Sequence, residues 1–248
     1  MSERNRYRLE QMTWEEAEDA FETADYVVLP CGSTEQHSLH LPTSVDTLRS
    51  FHLTDELAER APEHGLELLV LPPLPYGYSE HHLPFSGTIT LDADTYCEVV
   101  VDIGRSVKKH GGERFLITNF HAGNIEPHKL AIDRLQREYD LPTRYVNWTD
   151  FARDKLEDRF GDKWGHAGEH ETSVIEHYRP ELVRQGKKQP QTLHDVADSE
   201  QFRYFDDLTV EGGLGDPTDS DPAFIADIIE ETTDNVLSDL KAGNTDVQ

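Results

Sequence analysis

Four side chains that can bind a metal ion or carry a proton lie within one short segment, GSTEQHSLHLPTSVDT, residues 32–47. They are Glu35, His37, His40 and Asp46, and the segment directly follows the apolar run YVVLPC. In an extended chain Glu35 and His37 point to the same side, because side chains alternate along a strand. Asp46 is close enough in sequence for a loop to fold it back. The segment is either a polar surface loop or part of a functional site. The second interpretation requires further candidate ligand residues elsewhere in the chain.

Three further segments contain residues of the same chemical types. ITNFHAGN (117–124) holds His121, WGHAGEHETS (164–173) holds His166, Glu169, His170 and Glu171, and GYSEHHLPFSGTITL (77–91) holds Glu80, His81 and His82. Imidazoles and carboxylates without thiolates suit divalent zinc, manganese or iron. Two histidines and three carboxylates suffice for two neighbouring ions if one carboxylate bridges them. Such a pair can hold a hydroxide and polarise a carbonyl group, which is a route to amide hydrolysis with a nearby histidine as proton carrier.

Each of these residues also has a simpler interpretation. A histidine in a loop is often a solvated side chain, and Glu169 and Glu171 could be charges favoured in the first turn of a helix. Three such clusters in one chain, two of them directly after predicted buried strands, favour a site. The sequence contains no Gly-x-Ser-x-Gly motif, phosphate-binding loop or dinucleotide fingerprint, and Cys31 and Cys97 lack the context of a nucleophile.

The elements that would position these segments alternate between strands and helices. We predict strands at 26–32, 66–74, 114–120 and 143–150, and helices at 13–24, from 47 to about 62, at 92–112 and at 124–140. Thr13 and Glu16 fit a capping box at the start of the first helix. The alternation indicates βαβ units around a mainly parallel sheet. Ligands bind beyond the carboxyl ends of such strands, so we expect the loops after residues 31 and 120 to meet at one edge of the sheet.

Composition restricts the partners that we expect. The 248 residues include 49 Asp and Glu against 23 Lys and Arg, which gives a formal net charge of −26. A surface this negative repels nucleic acid and anionic membranes, and no apolar run approaches the ~20 residues of a membrane span. The acidity could mark a disordered chain, but the regular apolar runs favour a folded protein of a salt-rich cytoplasm. The charged N-terminal segment lacks the apolar stretch of a signal peptide, so we expect a cytoplasmic, halophilic protein.

Five motifs, in order, resemble those of the creatininase (creatinine amidohydrolase) family. They are GSTEQHSLHLPTSVDT, PPLPYGYSEHHLPFSGTITL, NFHAGN, HAGEHETS followed by PELV, and GGLGDPTDSD, and they span about residues 25–235. The resemblance implies an α/β fold, a three-layer α/β/α sandwich formed by a single domain over residues 1–248. It also implies a centre of two divalent ions (zinc, manganese or iron) and a homo-oligomer, the hexamer being common in the family.

Carried over position by position, the resemblance implies a set of metal ligands. Glu35 and His121 would hold one ion, His37 would hold the second, and Asp46 would bridge both. The ions would hold a bridging hydroxide that attacks the carbonyl carbon of a small-molecule amide and cleaves a non-peptide C–N bond, as in the cyclic amide creatinine.

The last carboxylate departs from the pattern of the creatinine-hydrolysing members. In those enzymes a Glu follows the loop histidine by two residues, whereas this chain has Gly123 at that position. We expect Glu169 to take its place as a ligand, and the choice between Glu169 and Glu171 stays open. His166 matches the proton-transfer histidine that protonates the leaving nitrogen. We group Glu171 with His166 in the catalytic machinery, where it would orient a ligand or start the helix.

Several branches of the family could supply the substrate. Gly165 stands where creatinine hydrolysers have an acidic residue. The aromatic lid residue of those enzymes has no clear match in this sequence, although Trp164 lies close to the expected position. Both departures argue against creatinine as the substrate. A second branch resembles the formamide hydrolase that deformylates a formylaminopyrimidine ribonucleotide in archaeal flavin and deazaflavin biosynthesis. Its phosphate would need cations, and we expect Arg49 and Arg114 near the site edge. A third branch consists of peptidases that act on the precursor of a modified-peptide cofactor, and we favour this function less. The alternative to an enzyme is a non-catalytic scaffold protein with the same fold.

Overall fold

The computed structural model describes residues 6–161, 165–194 and 204–243. Within these residues four parallel strands form one sheet with the order β2-β1-β3-β4. The strands are β1 Tyr26–Cys31, β2 Leu68–Val70, β3 Phe115–Asn119 and β4 Thr143–Asn147. The helices of three turns or so and longer are α1 Trp14–Thr23, α2 Val45–Arg60, α3 Ala93–Lys109, α4 Ile125–Tyr139, α5 Trp148–Phe160, α6 Glu169–Tyr178 and α7 Pro222–Ala242.

Different helices cover the two faces of the sheet. Val27 and Leu29 of β1 pack with the buried side chains of α3 and α4, whereas Tyr26 and Val28 pack with those of α2 and α7. Every residue of β1 and β3 is buried, as expected for central strands of a parallel sheet with both faces covered. The predicted three-layer α/β/α sandwich is therefore confirmed. No helix in the described ranges is both long and apolar enough to cross a membrane.

The boundaries of the elements follow local chemistry. The capping box of α1 is confirmed, since the Thr13 N–H donates to Oε2 of Glu16 at 2.7 Å and the Thr13 side chain accepts from the Glu16 N–H. Strand β2 is shorter than predicted because Pro72 and Pro73 have no N–H to donate to a neighbouring strand. Helix α2 begins two residues earlier than predicted, at Val45, and this places Asp46 in its first turn.

Gly32 sets the distance between the end of β1 and the start of α2. A Cβ atom built on Gly32 would lie 2.7 Å from the backbone N and Cα of Thr47 and 2.8 Å from the carbonyl carbon of Asp46. Rotation of a side chain cannot relieve contacts with backbone atoms, so this approach requires glycine. Thr47 also donates from its hydroxyl to the Ser33 carbonyl oxygen at 3.0 Å. The start of α2 is thereby held against the loop that contains Glu35.

Replacement of Gly32 by alanine should lower the free energy of unfolding by about 1–3 kcal/mol, because the added methyl group must push α2 away from β1. Urea denaturation of the metal-free protein measures this change. Gly186→Ala is the matched control, since a Cβ atom on Gly186 would meet nothing within 4 Å. Its expected effect is within about 0.5 kcal/mol. Equal stability of Gly32→Ala and the parent protein would show that this contact does not constrain the start of α2.

Candidate metal centre

The carboxyl ends of β1 and β3 bring together residues that are distant in sequence. Glu35 and His37 follow β1, His121 follows β3, and Asp46 lies in the first turn of α2. Each of the four side chains is at most 5% exposed. The two loops therefore meet at one edge of the sheet, as the parallel topology predicts.

Glu35, Asp46 and His121 form a first group of ligand atoms. Nδ1 of His121 lies 3.1 Å from Oε2 of Glu35 and 3.3 Å from Oδ2 of Asp46. The other ring nitrogen, Nε2, lies 2.9 Å from the carbonyl oxygen of Tyr78 and donates its proton there, so Nδ1 is the ring nitrogen that faces the two carboxylates. The Ser79 hydroxyl donates to Oε2 of Glu35 at 2.6 Å and fixes the orientation of this carboxylate.

His37 and Glu171 belong to a second group of ligand atoms together with His166, and Asp46 approaches this group at His37. Nε2 of His37 lies 3.5 Å from Oδ1 of Asp46 and 3.5 Å from Oε2 of Glu171. Nδ1 of His37 lies 3.2 Å from the carbonyl oxygen of Glu35 and donates to it, which directs Nε2 toward the carboxylates. Asp46 thus presents Oδ2 to the first group and Oδ1 to the second, the arrangement of a bridging carboxylate.

Helix α6 directs Glu171, rather than Glu169, toward these groups. The helix begins at Glu169, and residues two apart on a helix point about 200° away from each other. Oε1 of Glu169 accepts a hydrogen bond from the Asp216 N–H at 2.8 Å, in the segment GGLGDPTDSD. Oε2 of Glu171 accepts from the Ala167 N–H at 2.7 Å, so Glu171 also caps the start of α6. The expectation that Glu169 is the last ligand stays a prediction; its Oε1 is bonded to another loop, whereas Oε2 of Glu171 faces His37.

Gly123 leaves no room for a side chain next to the first group. A Cβ atom built there would overlap the carbonyl oxygen of Tyr78 and the ring of His121. A carboxylate could not occupy this position without moving the loop after β3. The carboxylate that lies beside His37 is that of Glu171, on α6.

The two ring nitrogens of His166 have different surroundings. Nε2 donates to the carbonyl oxygen of Gln36 at 2.7 Å, and Nδ1 lies 3.5 Å from Oε1 of Glu35. The ring packs against His37 and His82, with centroid distances of 4.2 Å and 4.3 Å. Nδ1 therefore faces the site with a lone pair, at a distance that also permits metal ligation.

Burial and neighbouring charges shift the pKa values in the site. Burial raises the pKa of Asp46, but His37 and His121 outweigh it and hold that pKa well below its usual value. Burial lowers the pKa of His37, but Asp46 and Glu171 raise it to about 9. The pKa of His121 is likewise held well above its usual value, since the carboxylates of Glu35 and Asp46 outweigh burial. In the metal-free protein, protonated imidazoles therefore balance the buried carboxylates.

Three buried atoms of the candidate ligands Glu35, His37 and Asp46 have no hydrogen-bond partner among the described residues, namely Oε1, Nε2 and Oδ2 respectively. Oε2 of Glu169 is also buried without a hydrogen-bond partner. Leaving such atoms unpaired is costly, and a cation among them would remove the cost. Imidazole nitrogen with carboxylate oxygen is the donor set of zinc, manganese and iron sites. The residues therefore fit divalent metal ions.

A cavity of about 370 Å³ opens over these groups. Histidine and aromatic side chains line part of it, and polar side chains of the β4–α5 region line another part: His81, His82, Phe205, Asn147, Thr149 and Arg153. Trp164, the candidate for an aromatic lid, lies outside the described residues.

Sequence reasoning missed several residues that shape the site. Ser79 and Gln36 lie inside the motifs, next to the candidate ligands, and that proximity was the available signal. Phe205 had no signal in the sequence, although its ring packs on His82 at a centroid distance of 4.3 Å. His40 stays outside the site and bonds to the Thr172 hydroxyl at 2.8 Å.

The prediction that Arg49 and Arg114 both lie near the site edge is wrong for Arg114. Arg114 directly precedes β3, at the opposite end of the sheet, and pairs with Asp25 at 3.2 Å. Arg49 lines the cavity, but its guanidinium is buried and pairs with Glu171 at 2.5 Å.

Binding of a divalent ion should release protons at neutral pH, because the ion must displace the proton on His37. The pKa of His37 is raised to about 9, so its imidazole is protonated below that pH and metal affinity should fall as the pH is lowered. Titration calorimetry at neutral pH in two buffers of different ionisation enthalpy should show release of about one proton or more. His37→Gln should release fewer protons. Ion binding without proton release would contradict this charge state.

Comparison with known proteins places the sequence among metal-site hydrolases. The family model for creatininase, creatinine amidohydrolase, matches residues 10–240. A mycofactocin precursor peptide peptidase from Mycobacterium ulcerans is 31% identical over 221 residues, which cover 86% of this chain and 83% of the relative. A creatinine amidohydrolase from Pseudomonas putida is 31% identical over 192 residues, covering 70% and 72%.

Solved structures that superimpose on this chain belong to the same family as the sequence relatives. A Bacteroides fragilis protein described as a creatinine amidohydrolase superimposes with a TM-score of 0.86 at 26% identity, covering 99% of this chain and all of that chain. A manganese creatininase superimposes with a TM-score of 0.80 at 25% identity, covering 97% and 99%. The chain belongs to the creatininase family of hydrolases.

Proposed function

We propose that this chain is a metal-dependent amidohydrolase that cleaves a C–N bond in a small-molecule amide. Glu35, Asp46 and His121 would hold one ion, and His37, Asp46 and Glu171 would hold a second. The observation that supports this most strongly is the position of Asp46, whose two carboxylate oxygens face two separate ligand groups. When bound, two divalent ions would polarise a substrate carbonyl group and lower the pKa of a water molecule.

His166 is the residue that we assign to proton transfer. Its Nε2–H is committed to the Gln36 carbonyl oxygen, so Nδ1 is the nitrogen that can accept a proton from the attacking water. Burial and the neighbouring His37 lower the pKa of His166, so the ring is neutral at neutral pH and can accept a proton. Once protonated, Nδ1 can donate to the leaving nitrogen, while the Gln36 carbonyl oxygen keeps the ring in place.

The cavity supports a small substrate. A volume of about 370 Å³ lies at the lower end of the range of small-molecule sites. The buried ligand atoms lie at its base, where a compact amide, including a cyclic one, can reach them. An amide bond of a peptide is the second candidate, because the Mycobacterium ulcerans relative is named as a precursor peptide peptidase.

A nucleotide deformylase and a non-catalytic scaffold have less support. A formylaminopyrimidine nucleotide would need a cation for its phosphate, and Arg153, half exposed at the cavity wall, is the described arginine best placed for that contact. A scaffold would have to keep Glu35, Asp46 and Glu171 buried together without a function. Buried carboxylates of this kind are destabilising unless cations compensate them.

Asp46 and His166 variants should separate metal binding from proton transfer. Asp46→Asn should lose bound metal and activity together, because both ligand groups share this carboxylate. His166→Ala should keep the metal content of the parent protein and lower kcat by about 10²- to 10⁴-fold. Elemental analysis after gel filtration and kinetics on the same samples measure both quantities. Loss of metal from His166→Ala would make it a ligand instead, and unchanged kcat would remove its assigned role.

A substrate panel tests the reaction itself. Creatinine, simple lactams, a formylaminopyrimidine ribonucleotide and a short peptide should be compared on kcat/KM with zinc, manganese and iron in molar salt, which screens the acidic surface. We expect a small amide to exceed the peptide by about tenfold or more. The reverse order would favour the peptidase. Fewer than about one divalent ion per chain after purification, with no turnover, would favour the scaffold.

A further inference from the structure

We propose that Arg49 is a positioning residue that holds Glu171 in place as a ligand and thereby sets the affinity of the second ion. The inference rests on the proposed two-ion centre, because it concerns the second ion, which we assign to His37, Asp46 and Glu171. Arg49 does not contact the substrate in this assignment. It acts through the carboxylate of Glu171.

The guanidinium of Arg49 contacts three elements that meet at the site. Arg49 lies three residues after Asp46 on α2 and is 2% exposed. Its Nη1 lies 2.5 Å from Oε1 of Glu171 on α6, 3.4 Å from Oδ1 of Asp46, and 3.2 Å from the carbonyl oxygen of Phe120, directly after β3. One buried cation therefore connects α2, the end of β3 and α6.

The two oxygens of Glu171 have separate partners. Oε1 accepts from Arg49, while Oε2 accepts from the Ala167 N–H and faces Nε2 of His37. These contacts fix the rotation of the carboxylate, so that Oε2 is the oxygen presented to an ion.

The glycine at position 123 makes the contact between Arg49 and Glu171 important for the second ion. Because the loop after β3 has no carboxylate at that position, the ligand must reach the site from α6, which belongs to a different part of the chain. Ala167, in the turn before α6, has a φ of 53°, a left-handed value that is uncommon for alanine. The Arg49 contact ties this turn and helix to α2 and β3, which hold the other ligands.

Arg49→Lys is the main test, because it keeps the positive charge, while one ammonium group cannot reproduce the contacts that Nη1 makes with Glu171, Asp46 and Phe120 together with the contact of Nη2 with His170. It should raise the Kd of one of the two bound ions about 10- to 100-fold and leave the other unchanged. Manganese titration of the metal-free protein, followed by electron paramagnetic resonance, gives both constants. In a Glu171→Gln background, which already lacks the second ion, Arg49→Lys should change nothing further.

Arg8 offers a matched control. It is also a buried arginine, 2% exposed, and it pairs with Asp55 and with Glu10 at 3.1 Å, away from the cavity residues. Arg8→Lys should lower the thermal stability of the protein without changing either Kd. If Arg49→Lys fails to fold in the metal-free form, Arg49→Gln replaces it, with the same expected weakening of one ion.

Three results would overturn the proposal while leaving the two-ion centre intact. One is two ions bound by Arg49→Lys with the affinities of the parent protein. Another is equal weakening of both ions, which a general structural role would produce. The third is tighter binding of the second ion by Arg49→Gln, which would show that Arg49 acts by its charge alone. A parent protein that binds no ion would instead refute the proposed function.

Discussion

The burial of three carboxylates within one small volume is the constraint on which this structure depends. Glu35, Asp46 and Glu171 are each less than a tenth exposed, so water solvates their negative charges only in part. Such a cluster persists only if cations compensate it, and the described residues provide protonated imidazoles and one guanidinium. Divalent ions would replace the protons on the imidazoles. The close contact at Gly32, the Ser79 hydrogen bond and the start of α6 all serve to hold these oxygens together.

The carboxylates at the site come from different elements of the fold. Position 123 is glycine and too crowded for a side chain, whereas Glu171 reaches the site from a helix on the other side of the cavity. The metal-binding groups can therefore be assembled from different elements around the same sheet edge. The curated relatives include both a creatinine amidohydrolase and a precursor peptide peptidase. The ligand groups suit the hydrolysis of amides in general. The choice among amide substrates must therefore depend on the residues of the cavity walls.

Much of the fold and part of the site could be predicted from sequence. Apolar runs and the capping box located the main strands and α1, and the parallel topology brought the loops after β1 and β3 together. Sequence could not show whether Glu169 or Glu171 faces His37, because this depends on the residue at which α6 begins. Arg114 was misplaced because its strand begins, rather than ends, beside it. The pairing of Arg49 with Glu171 joins residues 122 apart in sequence, which no local pattern specifies.

The most direct test of the two-ion centre is anomalous X-ray diffraction from crystals soaked with manganese. We predict two anomalous peaks on opposite sides of the Asp46 carboxylate. One should lie among Glu35, Asp46 and His121, and the other among His37, Asp46 and Glu171. A peak ligated by Glu169, or the lack of any peak within coordination distance of Asp46, would contradict the two-ion centre.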